Sequence, residues 1–131
     1  MQSQESRAME LPKVGSVKIA DDVVAVIAGV SASEVEGIVG MSGGLVGDLG
    51  EILGKKSLSK GVKVQVGEKE AIIDLFIVVE YGARIPDVSY RAQQNVKNAV
   101  EVMTGLNVIE VNIHIQGVVF PSDEEEDTGK H

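Results

Sequence analysis

The chain contains no cysteine and no tryptophan, and its two histidines are His114 and His131. Disulfides, thiol chemistry and cysteine-based zinc or iron–sulfur sites are excluded together. Aromatic residues are nearly as scarce. Phe76, Tyr81, Tyr90 and Phe120 make up 3% of the chain, and no pair is spaced as a platform on which nucleic-acid bases stack. Positive charge is also in deficit: twelve Lys and Arg stand against twenty Asp and Glu, for a net charge of −8. That balance counts against nucleic acid as a partner, because phosphate binding needs a basic surface. Long apolar runs are missing as well. The longest, Val23 to Val30, covers eight residues behind Asp21 and Asp22, whereas a helix crossing a bilayer needs about twenty. Residues 1–13 are polar and lack the apolar stretch of a secretory signal. The expected location is cytoplasmic, with any membrane association made through a partner.

What remains is ordinary globular material. Hydrophobic residues account for 44% of 131 positions and charged ones for 24%, enough for one domain with a buried core. The charge is uneven. Residues 1–13 balance to zero, while the tail 122–131 sets five consecutive acids, Asp123 to Asp127, against Lys130. The expected organisation is a disordered tail over 1–13, one domain over 14–121, and an acidic disordered tail over 122–131.

Within the domain, Gly15 to Ala20 alternates apolar and polar residues as a short strand does. Asp21 is placed as an N-cap, with Asp22 in the first turn of a helix running to about Val35. Gly37 ends it, and Ile38–Met41 reads as a brief strand. Residues 43–60 put Leu45, Leu49, Ile52 and Leu53 at helical spacing, but five glycines interrupt them. Each interior glycine costs a helix about 1 kcal/mol, so a loop with a marginal helix is expected. Val62, Val64 and Val66, a turn over Gly67–Glu70, and the run Ala71–Tyr81 form a β-hairpin. Pro86 suits the first turn of a long helix to Thr104 that buries Val88, Ala92, Val96, Ala99 and Met103, with Gly105 as its C-terminal cap. Asn107–Val119 is the last strand, with Ile109, Val111, Ile113 and Ile115 on one face. The order β-α-β-loop-β-β-α-β predicts a two-layer α+β fold, a small mixed sheet with two helices on one face.

Motifs for catalysis and cofactors are absent or incomplete. A phosphate loop would need Gly at 49 and Ser or Thr after Lys55, where Leu49 and Lys56 stand. The Gly-x-x-Gly of an RNA-clamping KH domain occurs at Gly47–Gly50, but Asp48 and Leu49 fill its centre. An RNA- or nucleotide-binding KH-like module is therefore the alternative reading. Neither histidine is spaced with a nucleophile and an orienting group. Pairs such as Glu34/Glu36 and Glu68/Glu70 fall at a helix end and a turn, where solvation explains them. No metal, cofactor or catalytic set is predicted, and an enzyme is not expected.

Two surfaces stand out. Lys55, Lys56, Lys60 and Lys63 form the basic cluster, a candidate patch for an anionic partner. The strand 71–81 is apolar on both faces. Ala71, Ile73, Leu75, Ile77, Val79 and Tyr81 are assigned to the core. The opposite face carries Ile72, Phe76 and Val78, which with His114 and Gln116 form a candidate self-association patch.

These segments resemble one known family along nearly the whole domain. Gly15-x-Val17-x-Ile19-Ala20 opens the resemblance, followed by Ser33-Glu34-Val35-Glu36-Gly37-Ile38 and Lys60-Gly61-Val62-Lys63-Val64. Tyr81-Gly82 before Ile85-Pro86, Met103-Thr104-Gly105-Leu106, and Val111 to Val118 complete it. In order and spacing the chain is similar to the alkaline-shock (envelope stress response) proteins of Gram-positive bacteria. Ile27 to Gly37 and Asn112-Ile113-His114-Ile115 bring it nearest to the small single-domain members encoded beside acetyl-CoA carboxylase genes. The resemblance implies an abundant, self-associating, non-enzymatic cytoplasmic protein with no cofactor. It further implies a role in envelope or fatty-acid-synthesis homeostasis, and as partners a small membrane-anchor protein or acetyl-CoA carboxylase.

Overall fold

The run from Glu70 to Glu80 is the axis of the molecule. In the computed structural model, which describes residues 14–43 and 59–120, this run is an eleven-residue strand. Its Ala71, Ile73, Leu75, Ile77 and Val79 are at most 1% exposed. Around it the described elements follow in the order α1 (Asp21–Ser33), β1 (Ile38–Met41), β2 (Val62–Val66), β3 (Glu70–Glu80), α2 (Ile85–Thr104) and β4 (Asn107–Val119).

Every ladder in the sheet includes β3. Strand β4 runs parallel to it along one edge, from Glu70↔Asn107 to Glu80↔Val119. The other edge is shared end to end by two antiparallel strands, β2 against Ala71–Leu75 and β1 against Ile77–Val79. The β2–β3 hairpin is closed by Gly67 N–H donating to Glu70 O at 2.8 Å. Where β1 and β2 meet, Ser42 N–H donates to Phe76 O at 2.6 Å and Phe76 N–H to Gly61 O at 2.8 Å. Gly61 is required at this junction. Its φ is +78°, and a Cβ there would lie 2.6 Å from Ser42 O.

Both helices pack on the face that carries Ile73, Leu75 and Ile77. Val24, Ala28 and Ala32 of α1 and Val88, Ala92, Val96 and Val100 of α2 join them in one core cluster. Two-layer α+β packing with a mixed sheet is thus the architecture, as the element pattern predicts. Helix α2 carries Pro in its first turn, and its end is capped by Gly105 at φ 80°, the left-handed conformation that glycine adopts without strain.

Several local expectations are corrected. Gly15–Ala20 joins no ladder, and Val17 is 86% exposed; alternation makes a strand only where a neighbour offers backbone partners. Ala20, not Asp21, is the N-cap of α1, and the helix ends at Ser33 instead of Val35. Tyr81 lies beyond β3 and is exposed, stacked on Phe120 with ring centroids 4.6 Å apart. Met103 is exposed and Ala99 half-buried, because Leu106, returned by the Gly105 turn, closes that end of the core. Ile109 is the extra residue of a β-bulge between Val108 and Glu110, so it leaves the core face that Val111, Ile113 and Ile115 occupy.

Side chains of α2 hold the outer edge of β4. Gln93 Nε2 donates to Val111 O at 3.0 Å and Lys97 Nζ to Val108 O at 3.2 Å, while Glu101 Oε2 accepts from Val108 N–H at 2.9 Å. Saturating edge groups in this way protects them from stray pairing.

Candidate functional site

The face of the sheet turned away from the helices is assembled by strand register. The antiparallel hairpin sets Lys63 opposite Asp74 and Gln65 opposite Ile72. The parallel ladder sets Asp74 beside Asn112, Phe76 beside His114 and Val78 beside Gly117. Ile72, Asp74, Phe76 and His114 are half-buried, and among the described residues no helix or strand covers them.

These side chains form a connected row. The Phe76 and His114 rings stack with centroids 4.4 Å apart and planes 10° from parallel. His114 Nε2 lies 3.2 Å from Asp74 Oδ1, and the Lys63 ammonium sits 5.5 Å from the centre of the Phe76 ring. Cation–π attraction at such an exposed site contributes about 0.5–1 kcal/mol. At the end of the row, Asn112 Nδ2 donates to Glu110 Oε1 at 3.3 Å. The row is organised and amphipathic. It offers rings, methyl groups and a few hydrogen-bonding atoms to something that lies across it.

Of the five residues predicted for this patch, Ile72, Phe76 and His114 lie together on this face. Val78 is on the face but only 7% exposed, since it leans over Gly117, its methyls 3.7 and 3.9 Å from where a Cβ would sit. Gln116 is the extra residue of a second bulge, between Ile115 and Gly117, and takes no place in the register. The patch is therefore centred on Phe76 and His114. Asp74, which alternation along β3 already puts on this face, and Lys63 of the basic cluster belong to it as well. Counting back from the Gly67–Glu70 turn finds the Lys63–Asp74 pairing.

The basic cluster fares differently. Lys55 and Lys56 lie outside the described residues, as do Gly47–Gly50, His131 and both tails. Lys60 and Lys63 line an open groove with Asp21 and Asp22 of α1, over Ala25, Val62 and Val64. Lys60 and Lys63 thus stand near two carboxylates, and the Lys63 ammonium also lies over the Phe76 ring.

Among the described residues, no group of three His, Asp or Glu side chains is placed to hold a metal ion. Asp74 and His114 contact each other, and His114 also stacks on Phe76. Away from this face, a carboxyl is perturbed where α2 meets β4. The hydrogen bond from Lys97, then that from the Val108 N–H, holds Glu101 below the usual carboxylate range. Its role is structural, joining α2 to β4.

Comparison with known proteins adds a family. Residues 10–120 match the alkaline-shock protein 23 family, described as having a cell envelope-related function. The protein YqhY of Bacillus subtilis is 40% identical over 113 residues, covering 86% of this chain and 84% of its own length. YloU of the same organism is 40% identical over 108 residues, covering 81% and 90% respectively. A stress response regulator gls24 homolog of Streptococcus pyogenes is 34% identical over 102 residues, 77% of this chain and 57% of its own length. No described helix is long and apolar enough to cross a membrane.

Proposed function

Since the chain belongs to the alkaline-shock protein 23 family, we propose that it is a non-enzymatic interaction module of envelope stress or envelope homeostasis that works by self-association through the open face of its sheet. One observation carries this reading: Phe76 stacked on His114, with Ile72 half-buried on the same side of β3, on a sheet face that no described element covers. Burying a side chain of that size contributes about 1.5–3 kcal/mol, and a two-fold contact buries each of them twice. A cytoplasmic location with membrane attachment through an anchor protein, or a link to acetyl-CoA carboxylase and fatty-acid synthesis, is the cellular setting in which such a module would act.

Sedimentation of the wild type and of Phe76→Glu tests the proposal. The wild type should sediment as an oligomer, and Phe76→Glu as a folded monomer with unchanged circular dichroism, because the core beneath Ile73 and Leu75 is untouched. Ile72→Lys gives the same readout from the neighbouring position. A wild type that stays monomeric at high concentration overturns the reading.

A further inference from the structure

Lys63, Asp74, Glu110 and His114 share the open face of the sheet, and their charges are not evenly paired. Lys63 stands opposite Asp74 in the β2–β3 register. Its ammonium nevertheless lies over the Phe76 ring, and among the described residues no ion pair joins it to Asp74. Glu110 of β4 accepts a hydrogen bond from Asn112. At the far end of β3, Glu80 is exposed. Strand β1 carries no charged residue, and both helices pack on the opposite face. Among the described residues, the group in contact with the Asp74 carboxylate is therefore His114, its Nε2 3.2 Å from Oδ1. The His114 side chain is 42% exposed and that of Asp74 28%, so water still reaches both.

We propose that His114 makes association through this face depend on pH, with protonation of its imidazole favouring the associated state. The inference rests on the self-association reading and gives that contact a control. Covering the row removes its water, and a carboxylate that loses water needs a compensating charge. Beside a neutral imidazole, Asp74 is covered with its charge uncompensated, because Lys63 is engaged over Phe76. Beside an imidazolium it is covered as an ion pair with a charge-assisted hydrogen bond. The Phe76 ring stacked on His114 favours the cation as well. The wider face agrees: with imidazole neutral, Asp74, Glu110 and Glu80 outnumber Lys63, so two such faces repel, and each proton taken up reduces that excess. Histidine is the side chain that ordinarily changes charge between about pH 5 and 8. Its proton is held more tightly in the associated state than in the free chain. Association is therefore strong below the histidine range and weakens as the pH rises through it.

Sedimentation of the full chain at about pH 6 and about pH 8, in the same salt, reads the effect. The wild type should associate roughly tenfold or more tightly at the lower pH, since each copy that takes up a proton allows up to about tenfold per pH unit. Asp74→Asn keeps the shape and removes the charge that needs compensation. It should associate at the higher pH at least as tightly as the wild type does at the lower, with little response to pH. His114→Gln should associate no more tightly at the lower pH than at the higher. His131→Gln, at the other histidine of the chain, should respond as the wild type does. Circular dichroism checks that each variant is folded, and if His114→Gln is not, Asp74→Asn decides. Equal association of the wild type at both pH values overturns the inference and leaves the open-face reading standing, whereas a wild type monomeric at both overturns the two together. Tighter association at the higher pH overturns the inference. So does a response that survives in Asp74→Asn or is lost in His131→Gln.

Discussion

Helices α1 and α2 lie on the same face of one sheet and divide their side chains in opposite ways. Along α2, Val88, Ala92, Val96 and Val100 recur every fourth residue and are buried, while Arg91, Gln94, Lys97 and Asn98 lie outside or at the margin. Along α1 the inner side carries Val24 with alanine, glycine and serine, while Val23 and Val30 are partly exposed. The small inner side lets α1 sit close, and Asn95 Nδ2 reaches across from α2 to donate to Ser31 O at 2.7 Å. The two helices show that burial and hydrophobicity are separate variables. Helix α2 is apolar where the core requires it, whereas α1 is apolar beyond what the core uses.

Substitutions that move the two helices toward each other's pattern sharpen the contrast. Val96→Ala should cost about 2–3 kcal/mol in denaturant melts, because a fully buried side chain leaves a cavity. The same truncation at Val30 should fall within about 0.5 kcal/mol of the wild type. If Val30→Ala proves as damaging as Val96→Ala, the outer side of α1 is a core surface and the contrast is broken. On the inner side of α1, Ala28→Leu should cost about 1–3 kcal/mol by overpacking against α2 and the sheet, read from the same melts.

Smaller effects are expected at the helix ends. Ala20 caps α1 without a side-chain hydrogen bond, so Ala20→Ser should stabilise the chain by about 0.5–1 kcal/mol in thermal melts. Least of all is Glu101, which ties α2 to β4 and has no counterpart on α1. Its carboxyl titrates below the usual range in the folded state. The stability it contributes is therefore complete above its ordinary unfolded value and lost as the pH falls through the lowered folded one. Melts of wild type and Glu101→Gln should differ slightly at neutral pH and converge in strong acid. A difference that grew in acid would reverse the assignment.

The sequence made β2, β3 and α2 legible because each signal is local. Val62, Val64 and Val66 lie two apart before a glycine turn, the core residues of β3 alternate without a break, and Pro86 and Gly105 bracket α2. The errors came where structure depends on something distant. Val17 and Ile19 alternate like a strand, but no described neighbour pairs with them. Ile109 and Gln116 fall out of register at bulges that alternation cannot reveal. Ile72 and Phe76 were readable as a second apolar face of β3. The Asp74–His114 contact was not, because a parallel register is set by how the whole of α2 spans the crossover. On α1 the apolar run was visible, but which of its valines stay partly exposed could be recognised only once its packed side was known.

The shared edge of β3 also sets an order of unfolding. Strands β1 and β2 meet end to end at Phe76 and have no ladder between them. The β1 end can therefore open without unzipping the hairpin or the parallel β3–β4 pair, whereas loss of β3 removes every ladder at once. Under native conditions the amides of Ile38 to Met41 should exchange with deuterium by a local opening of lower free energy. Those of Ile73, Leu75 and Ile77 should exchange only when the whole molecule unfolds.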